Sequence, residues 1–271
     1  MIELKHADVI FGKKSICTSM GIGAHQDDLE IMAAHGIITA YKNGSEGFVG
    51  VVTADGAGSP RAGEYADISD AQMAVLRKEE QKEAALLGEY SCLAMLNYSS
   101  REIKDPAEKS VEEDYYRLLM HFKPKIVYIH NLCDAHPTHV ATAVKAIAAM
   151  RRMERDLRPF AVYGMEVWRD LDWLPADEKV IFDLSAHREL QLDLIRVFRT
   201  QIAGGKAYDS GLMGRRQANA TFGASHSVDS YALCSYGMDL TPLIGDESIG
   251  LAQFVAQKIR KFENEVIKVL S

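Results

Sequence analysis

What most restricts this chain is a repeated pairing of brief apolar runs with longer amphipathic segments. Phe48–Thr53 (FVGVVT) and Lys125–His130 (KIVYIH) are rich in β-branched residues and are too short for buried helices. Ser15–Ala24 ends an apolar run in small residues and reads as another strand, and Cys92–Leu96 as a short one. Between them lie segments with apolar residues at helical spacing. Asp27–Lys42 is closed by Asn43-Gly44, and Ala71–Gly88 carries Glu/Lys pairs and a glycine stop. Ser110–Phe122 and Pro137–Arg152 follow the same pattern. Strands that alternate with helices and read as continuous apolar runs belong to a parallel sheet covered on both faces. Such sheets bind ligands at the carboxyl ends of their strands, so the residues just after each strand carry the functional question.

The second half is less regular. Phe160–Val167 and Lys179–Leu184 are expected strands, His187–Phe198 a helix and Ile249–Leu270 a closing amphipathic helix. Gly204–Ser235 is rich in Gly, Ser, Asn and aromatic residues and reads as a long functional loop. The 271 residues are expected to form a single α/β unit (1–271), with a metal-site half over 1–155 and a C-terminal extension over 156–271 that completes a substrate pocket.

A net charge of −7 argues against nucleic acid or an anionic membrane as the main partner. Cys17, Cys92, Cys133 and Cys234 match no zinc-finger or disulfide spacing and are expected to be free thiols. The N-terminal MIELKHADVIFGKKS lacks the apolar core of a signal peptide, and no stretch approaches the length of a membrane span, so a cytoplasmic protein is expected.

Two segments that directly follow predicted strands carry the chemistry. In Gly23-Ala24-His25-Gln26-Asp27-Asp28, the imidazole of His25 and the carboxylate of Asp28 stand three residues apart at a strand-to-helix junction, a spacing that lets both face one point. Asp27 lies between them as a second carboxylate free to act as a base. In Asp134-Ala135-His136-Pro137-Thr138-His139, two histidines share the same relation at the start of a helix, with Pro137 where a first turn tolerates it. A catalytic zinc takes three protein ligands and keeps an open position. His25, Asp28 and either His136 or His139 complete that set, leaving the other histidine and Asp27 for water activation and oxyanion stabilisation.

At this point the sequence resembles the PIG-L (LmbE-like) deacetylases. AHQDDLE resembles their AHPDDE signature and AHPTH their HPDH signature. VVTADGAG is similar to their strand-TDG turn, and Arg77-Lys78-Glu79-Glu80 followed by AALLG to their R-x-x-E…A…LG helix. The resemblance spans roughly residues 16 to 150 and implies a Rossmann-like open, mostly parallel sheet with helices on both faces. It also implies one Zn2+ ion per chain, replaceable by Fe2+ or Co2+, and removal of an acetyl group from an N-acetylated amino sugar or glycoconjugate. By that resemblance His25, Asp28 and His139 hold the metal and Asp27 is the general base. Protonated His136 stabilises the oxyanion or serves the leaving amine, and Arg77 contacts substrate, with Arg61 the rival for that role. Gln26 replaces the usual Pro, and Thr138 replaces the usual Asp, which removes a carboxylate beside the two histidines.

His130 and His35 read as structural histidines. His226 and Tyr231 are candidates for substrate contact, and Trp168 and Trp173 for stacking on a sugar ring. Three rival readings stand beside this one. Asp27-Asp28 suits magnesium and phosphoryl transfer, but the histidines favour a transition metal. Gly21-x-Gly23 begins a dinucleotide fingerprint that Gln26 leaves incomplete. A non-catalytic metal- or carbohydrate-binding protein leaves its reactive positions without a purpose. Homo-oligomers are left open.

Overall fold

The computed structural model describes residues 2–203, 205–223 and 226–271. In chain order its first half holds β1 (Asp8–Phe11), β2 (Ser19–Gly23), α1 (Asp28–Met32), α2 (Ala34–Ala40), β3 (Phe48–Ala54), α3 (Asp70–Leu87), β4 (Cys92–Tyr98), α4 (Ser100–Lys104), α5 (Ser110–Phe122), β5 (Ile126–His130) and α6 (Pro137–Arg151). The second half holds β6 (Ala161–Met165), β7 (Lys179–Asp183), α7 (Arg188–Arg196), α8 (Arg199–Ile202), α9 (Tyr208–Phe222), β8 (Cys234–Asp239), α10 (Thr241–Gly245) and α11 (Leu251–Leu270).

All eight strands join one sheet in the order β1-β4-β3-β2-β5-β6-β8-β7. Neighbours from β4 through β6 pair in parallel, while β1, β8 and β7 attach antiparallel at the two sides. Side chains alternate along β3 up to an irregularity between Val52 and Ala54: Val49 and Val51 pack with α5 and α6 on one face, and Phe48 and Val52 with α1 and α2 on the other. The chain proceeds outward from β2 through β3 to β4, then crosses back to β5 on the other side of β2. This is a topological switch point, and it opens a crevice at the carboxyl ends of β2 and β5. Close packing there depends on Gly21, where a Cβ would stand 2.9 Å from both the Leu29 and Phe48 side chains.

Several expectations are corrected. The helix expected over Asp27–Lys42 is two helices that break at Ala33, so that Leu29 and Met32 on one and Ile37 on the next can each meet the sheet. The Ser15–Ala24 strand pairs only over Ser19–Gly23, and the edge strand β1 was not foreseen. The long loop expected over Gly204–Ser235 contains the fifteen-residue helix α9; Gly204, Ala224 and Ser225 lie outside the described residues. No helix among the described residues is long and apolar enough to cross a membrane, and all four cysteines are free thiols.

Candidate metal centre and active-site pocket

The chain leaves β2 through a tight turn that aims two side chains at the crevice. Asp27 adopts a left-handed backbone (φ 88°), a conformation that Asp tolerates better than most residues. The turn is held from three sides. The Gln26 amide donates to the Ala54 carbonyl at 3.0 Å, the Asp27 amide donates to Gln81 at 3.2 Å, and the Arg77 guanidinium donates to the Gln26 carbonyl. The His25 amide donates to Asp28 Oδ2 at 2.7 Å and fixes that carboxylate at the start of α1. From β5, the chain turns through Asn131–Ala135 into α6, with His136 as the N-terminal cap and His139 fully buried in the first turn.

The two signature segments meet. His25 Nδ1 lies 3.1 Å from His139 Nε2 and 3.5 Å from Asp28 Oδ2, and His139 Nε2 lies 3.4 Å from that same oxygen. Three donors bound tetrahedrally to one ion at about 2.1 Å stand about 3.4 Å apart, so this triangle has the size a zinc ion needs. Burial would raise the Asp28 pKa, but the surrounding histidines outweigh it and hold the carboxyl well below its usual range. Burial pulls His139 down to about 4. An ionised carboxylate beside the neutral His139 suits metal binding, whereas at His25 the pull of burial is outweighed by Asp28, which raises its pKa.

His130 competes for the same place, since its Nε2 lies 3.2 Å from Asp28 Oδ2 and it forms a second compact cluster with Asp28 and His139. That nitrogen already accepts the Ala24 amide at 2.9 Å, so its lone pair is committed to the backbone. His130 therefore fastens the end of β2 to the end of β5 and stacks on His139 with centroids 3.9 Å apart. Asp134, which sequence reasoning passed over although it heads the second motif, supplies the carboxylate that Thr138 lacks. Its Oδ1 stands 3.3 Å from His139 Nδ1, within ion-pair reach though bent out of hydrogen-bond geometry, and accepts the His136 amide at 2.8 Å. A carboxylate behind a ligating histidine directs the free nitrogen to the metal.

His136 joins His25 and His139 in a second possible ligand group. Its Nδ1 accepts the Thr138 amide at 3.3 Å, which leaves the proton on Nε2. Burial, with His25 adding to it, lowers the His136 pKa. His136, expected to be protonated, offers an Nε2–H donor in this arrangement, and its pKa stands below the ordinary histidine value.

Asp27 faces the cavity. Burial pushes its carboxyl up to about 6 against the opposing pull of Arg77, whose Nη2 donates to Asp27 Oδ2 at 3.0 Å. Arg77 itself is 1% exposed and also donates to Glu80 and Thr200. Expected to contact substrate, Arg77 is internal and does not line the cavity: Nη1 and Nη2 donate to Asp27, Gln26, Glu80 and Thr200, and Nε has no partner among the described residues. Arg61 is likewise spent within its own loop, on the Ile68 and Ala57 carbonyls and on Asp70, and does not reach the cavity.

A cavity of about 340 Å³ opens over Asp27 and Asp28, within the range of small-molecule sites. Trp168, Lys206, Tyr208 and Arg215 line its wall. Trp168 thus stands where stacking was expected, whereas Trp173 packs against Phe262 at 6.3 Å and the exposed His226 and part-buried Tyr231 lie off the cavity. Lys206, Tyr208 and Arg215 were missed. They sit on and just before α9, which had no readable period.

Residues 20–150 match the protein family described as PIG-L: GlcNAc-PI de-N-acetylase. The curated proteins contain no match to the chain. Among solved structures the chain is similar to N,N'-diacetylchitobiose deacetylase from Pyrococcus horikoshii, at 19% identity over 84% of this chain and 85% of that one, with a TM-score of 0.63. It is similar to 4-carboxy-2-hydroxymuconate hydratase from Pseudomonas putida KT2440 at 17% identity over 83% and 96%, with a TM-score of 0.64. It is also similar to the A40926 pseudoaglycone deacetylase Dbv21 at 14% identity over 82% and 96%, with a TM-score of 0.61. At these identities the likenesses establish the fold, a mostly parallel sheet with helices around it.

Proposed function

On the match of residues 20–150 to the PIG-L family we propose that the chain is a zinc-dependent amide hydrolase that removes the acetyl group from an N-acetylated amino sugar. The observation that carries this reading is the triangle of His25, Asp28 and His139, 3.1 to 3.5 Å on a side, next to the ionisable Asp27 at the floor of an open cavity. Residues 156–271 complete the pocket wall in this reading.

Bound by His25, Asp28 and His139, zinc supplies Lewis acidity and lowers the pKa of water toward about 7. Asp27 accepts the proton of the attacking water, held in place for this by Arg77. The new C–O bond makes a tetrahedral carbon, whose oxyanion takes the Nε2–H of His136 as a hydrogen bond. Asp27 then returns its proton to the amide nitrogen as the C–N bond breaks, and acetate and free amine leave. Trp168 and Tyr208 cover the sugar ring and exclude water from its face.

The likeness to a hydratase gives a second reading, addition of water to an unsaturated acid on the same framework. Acetate release from a panel of N-acetylated amino sugars, with bound metal quantified on the same samples, separates the two. The hydrolase reading expects acetate and one zinc per chain; zinc with no acetate from any member of the panel overturns it.

A further inference from the structure

Two cations on the pocket wall, the exposed Lys206 and the half-buried Arg215, have no carboxylate within ion-pair reach among the described residues. The chain as a whole is acidic, with a net charge of −7, and several of its arginines are matched to carboxylates. Arg77 pairs with Asp27 and Glu80, Arg61 with Asp70, Arg196 with Asp209 and Arg199 with Glu83. Lys206 and Arg215, which line the cavity, form no ion pair among the described residues, although the charge of Arg215 acts at longer range on the buried Glu166 and opposes the burial that raises its carboxyl. Nor are they needed to neutralise its floor, because Asp27 is matched by Arg77 and Asp28 is surrounded by His25, His130 and His139.

Both are held in place. The Lys206 ammonium stands 4.5 Å over the Trp168 ring and 5.9 Å from the Tyr208 ring, so two aromatic faces keep its charge at the cavity without neutralising it. Arg215 donates Nη1 to the Val167 carbonyl at 2.5 Å, and its other N–H groups make no hydrogen bond among the described residues. Val167 and Trp168 follow β6, and the Trp168 amide donates to Asp134 Oδ2 at 3.1 Å. The cationic wall is thereby tied to the carboxylate that stands behind His139.

From this arrangement we propose that Lys206 and Arg215 form an anion subsite, which selects amino-sugar substrates bearing a phosphate or a carboxylate group. The inference rests on the amide-hydrolase reading for the other end of the substrate. With the acetamide at Asp27 and the ring against Trp168, the acidic substituent lies at the two cations, which offer a point charge and a planar fork of donors.

Calorimetric titration of the full chain with glucosamine, glucosamine 6-phosphate and muramic acid tests the subsite without turnover. At least one anionic probe is expected to bind about tenfold tighter than glucosamine. Lys206→Gln and Arg215→Gln are each expected to weaken that probe by about fivefold and to leave glucosamine unchanged. Arg215→Lys, which keeps the charge, is expected to retain most of the preference. Lys268→Gln on α11 controls for net charge and is expected to change nothing. The better of the two anionic probes identifies phosphate or carboxylate as the group recognised. Equal binding of neutral and anionic probes, or an equal loss from Lys268→Gln, overturns the subsite. Acetate release from the corresponding N-acetyl sugars is measured in parallel. An anion preference in the titrations with no acetate released sinks the hydrolase reading alone, and acetate released with no anion preference sinks the subsite alone.

Discussion

The two walls of the pocket are built by opposite rules. The floor, between β2 and α6, stands on strands whose apolar residues alternate between two buried faces, and its polar side chains occur where those strands end. The facing wall, α9, is fastened by polar residues. Its buried positions are Met213, Arg216 and Asn219. Arg216 is 1% exposed and donates to Gln191 and to the Glu30 and Ile31 carbonyls, and Asn219 donates to the buried Glu166 at 2.9 Å. An apolar stripe tolerates replacement by residues of similar volume, whereas buried hydrogen-bonded charges specify one arrangement and fail when a partner is lost. One region is therefore suited to hold a fixed reaction, and the other to fix which molecule is presented to it.

The sharpest way to break that comparison is to disable the floor alone. Asp27→Asn is expected to lower kcat by about a thousandfold while zinc content and thermal unfolding stay as in the parent, because the side chain keeps its shape and loses its basicity. Undiminished turnover would remove Asp27 from the mechanism. On the opposite wall, Arg216→Met is expected to cost about 3 kcal/mol or more in urea unfolding, since two backbone carbonyls and Gln191 lose their donor in a dry interior. A change below about 0.5 kcal/mol would show that α9 is held by its apolar contacts after all.

Asp134→Asn sharpens the comparison where the halves touch, because Asp134 faces His139 on one side and the Trp168 amide on the other. It is expected to weaken zinc affinity by about 10- to 100-fold in a chelator competition. An unchanged affinity would mean that His139 is oriented by its packing alone.

The smallest effect is a slope. Burial pushes the Glu30 carboxyl up to about 7 from its ordinary 4.5, against the hydrogen bonds from Tyr90 and Gln81. Between those two pH values the folded state holds more protons than the unfolded one, so this group's contribution is greatest below 4.5 and is lost as the pH climbs to 7. Glu30→Gln removes that slope, and urea unfolding at pH 5 and pH 7 measures it; a variant with the parent's slope would assign it to another group.

The same contrast explains which parts of the molecule were legible from residues alone. β3 and β5 announce themselves because both faces are covered, and His25, Asp28, His136 and His139 fall directly after such strands. β1 did not, since an edge strand with Phe11 63% exposed carries no buried period. α9 was hidden by Gly211 and Gly214 inside it and by a buried face that reads as surface. With α9 unseen, Lys206, Tyr208 and Arg215 had no visible reason to converge. Asp134 was in plain view, but a carboxylate that serves through another residue has no spacing rule to betray it. Arg77 was noticed, but nothing in a helical pattern reveals that an arginine will be swallowed by the interior.

The hydrogen bond from the Ala24 amide to His130 joins residues 106 positions apart, and the triangle beside it spans a similar interval of chain. During synthesis, His25 and Asp28 therefore emerge long before the strand that must lie beside them, and a nascent polypeptide that ends before residue 139 lacks one of the three ligands proposed for the metal. Metal uptake by ribosome-bound chains of increasing length would consequently mark the moment at which β5 slots in next to β2.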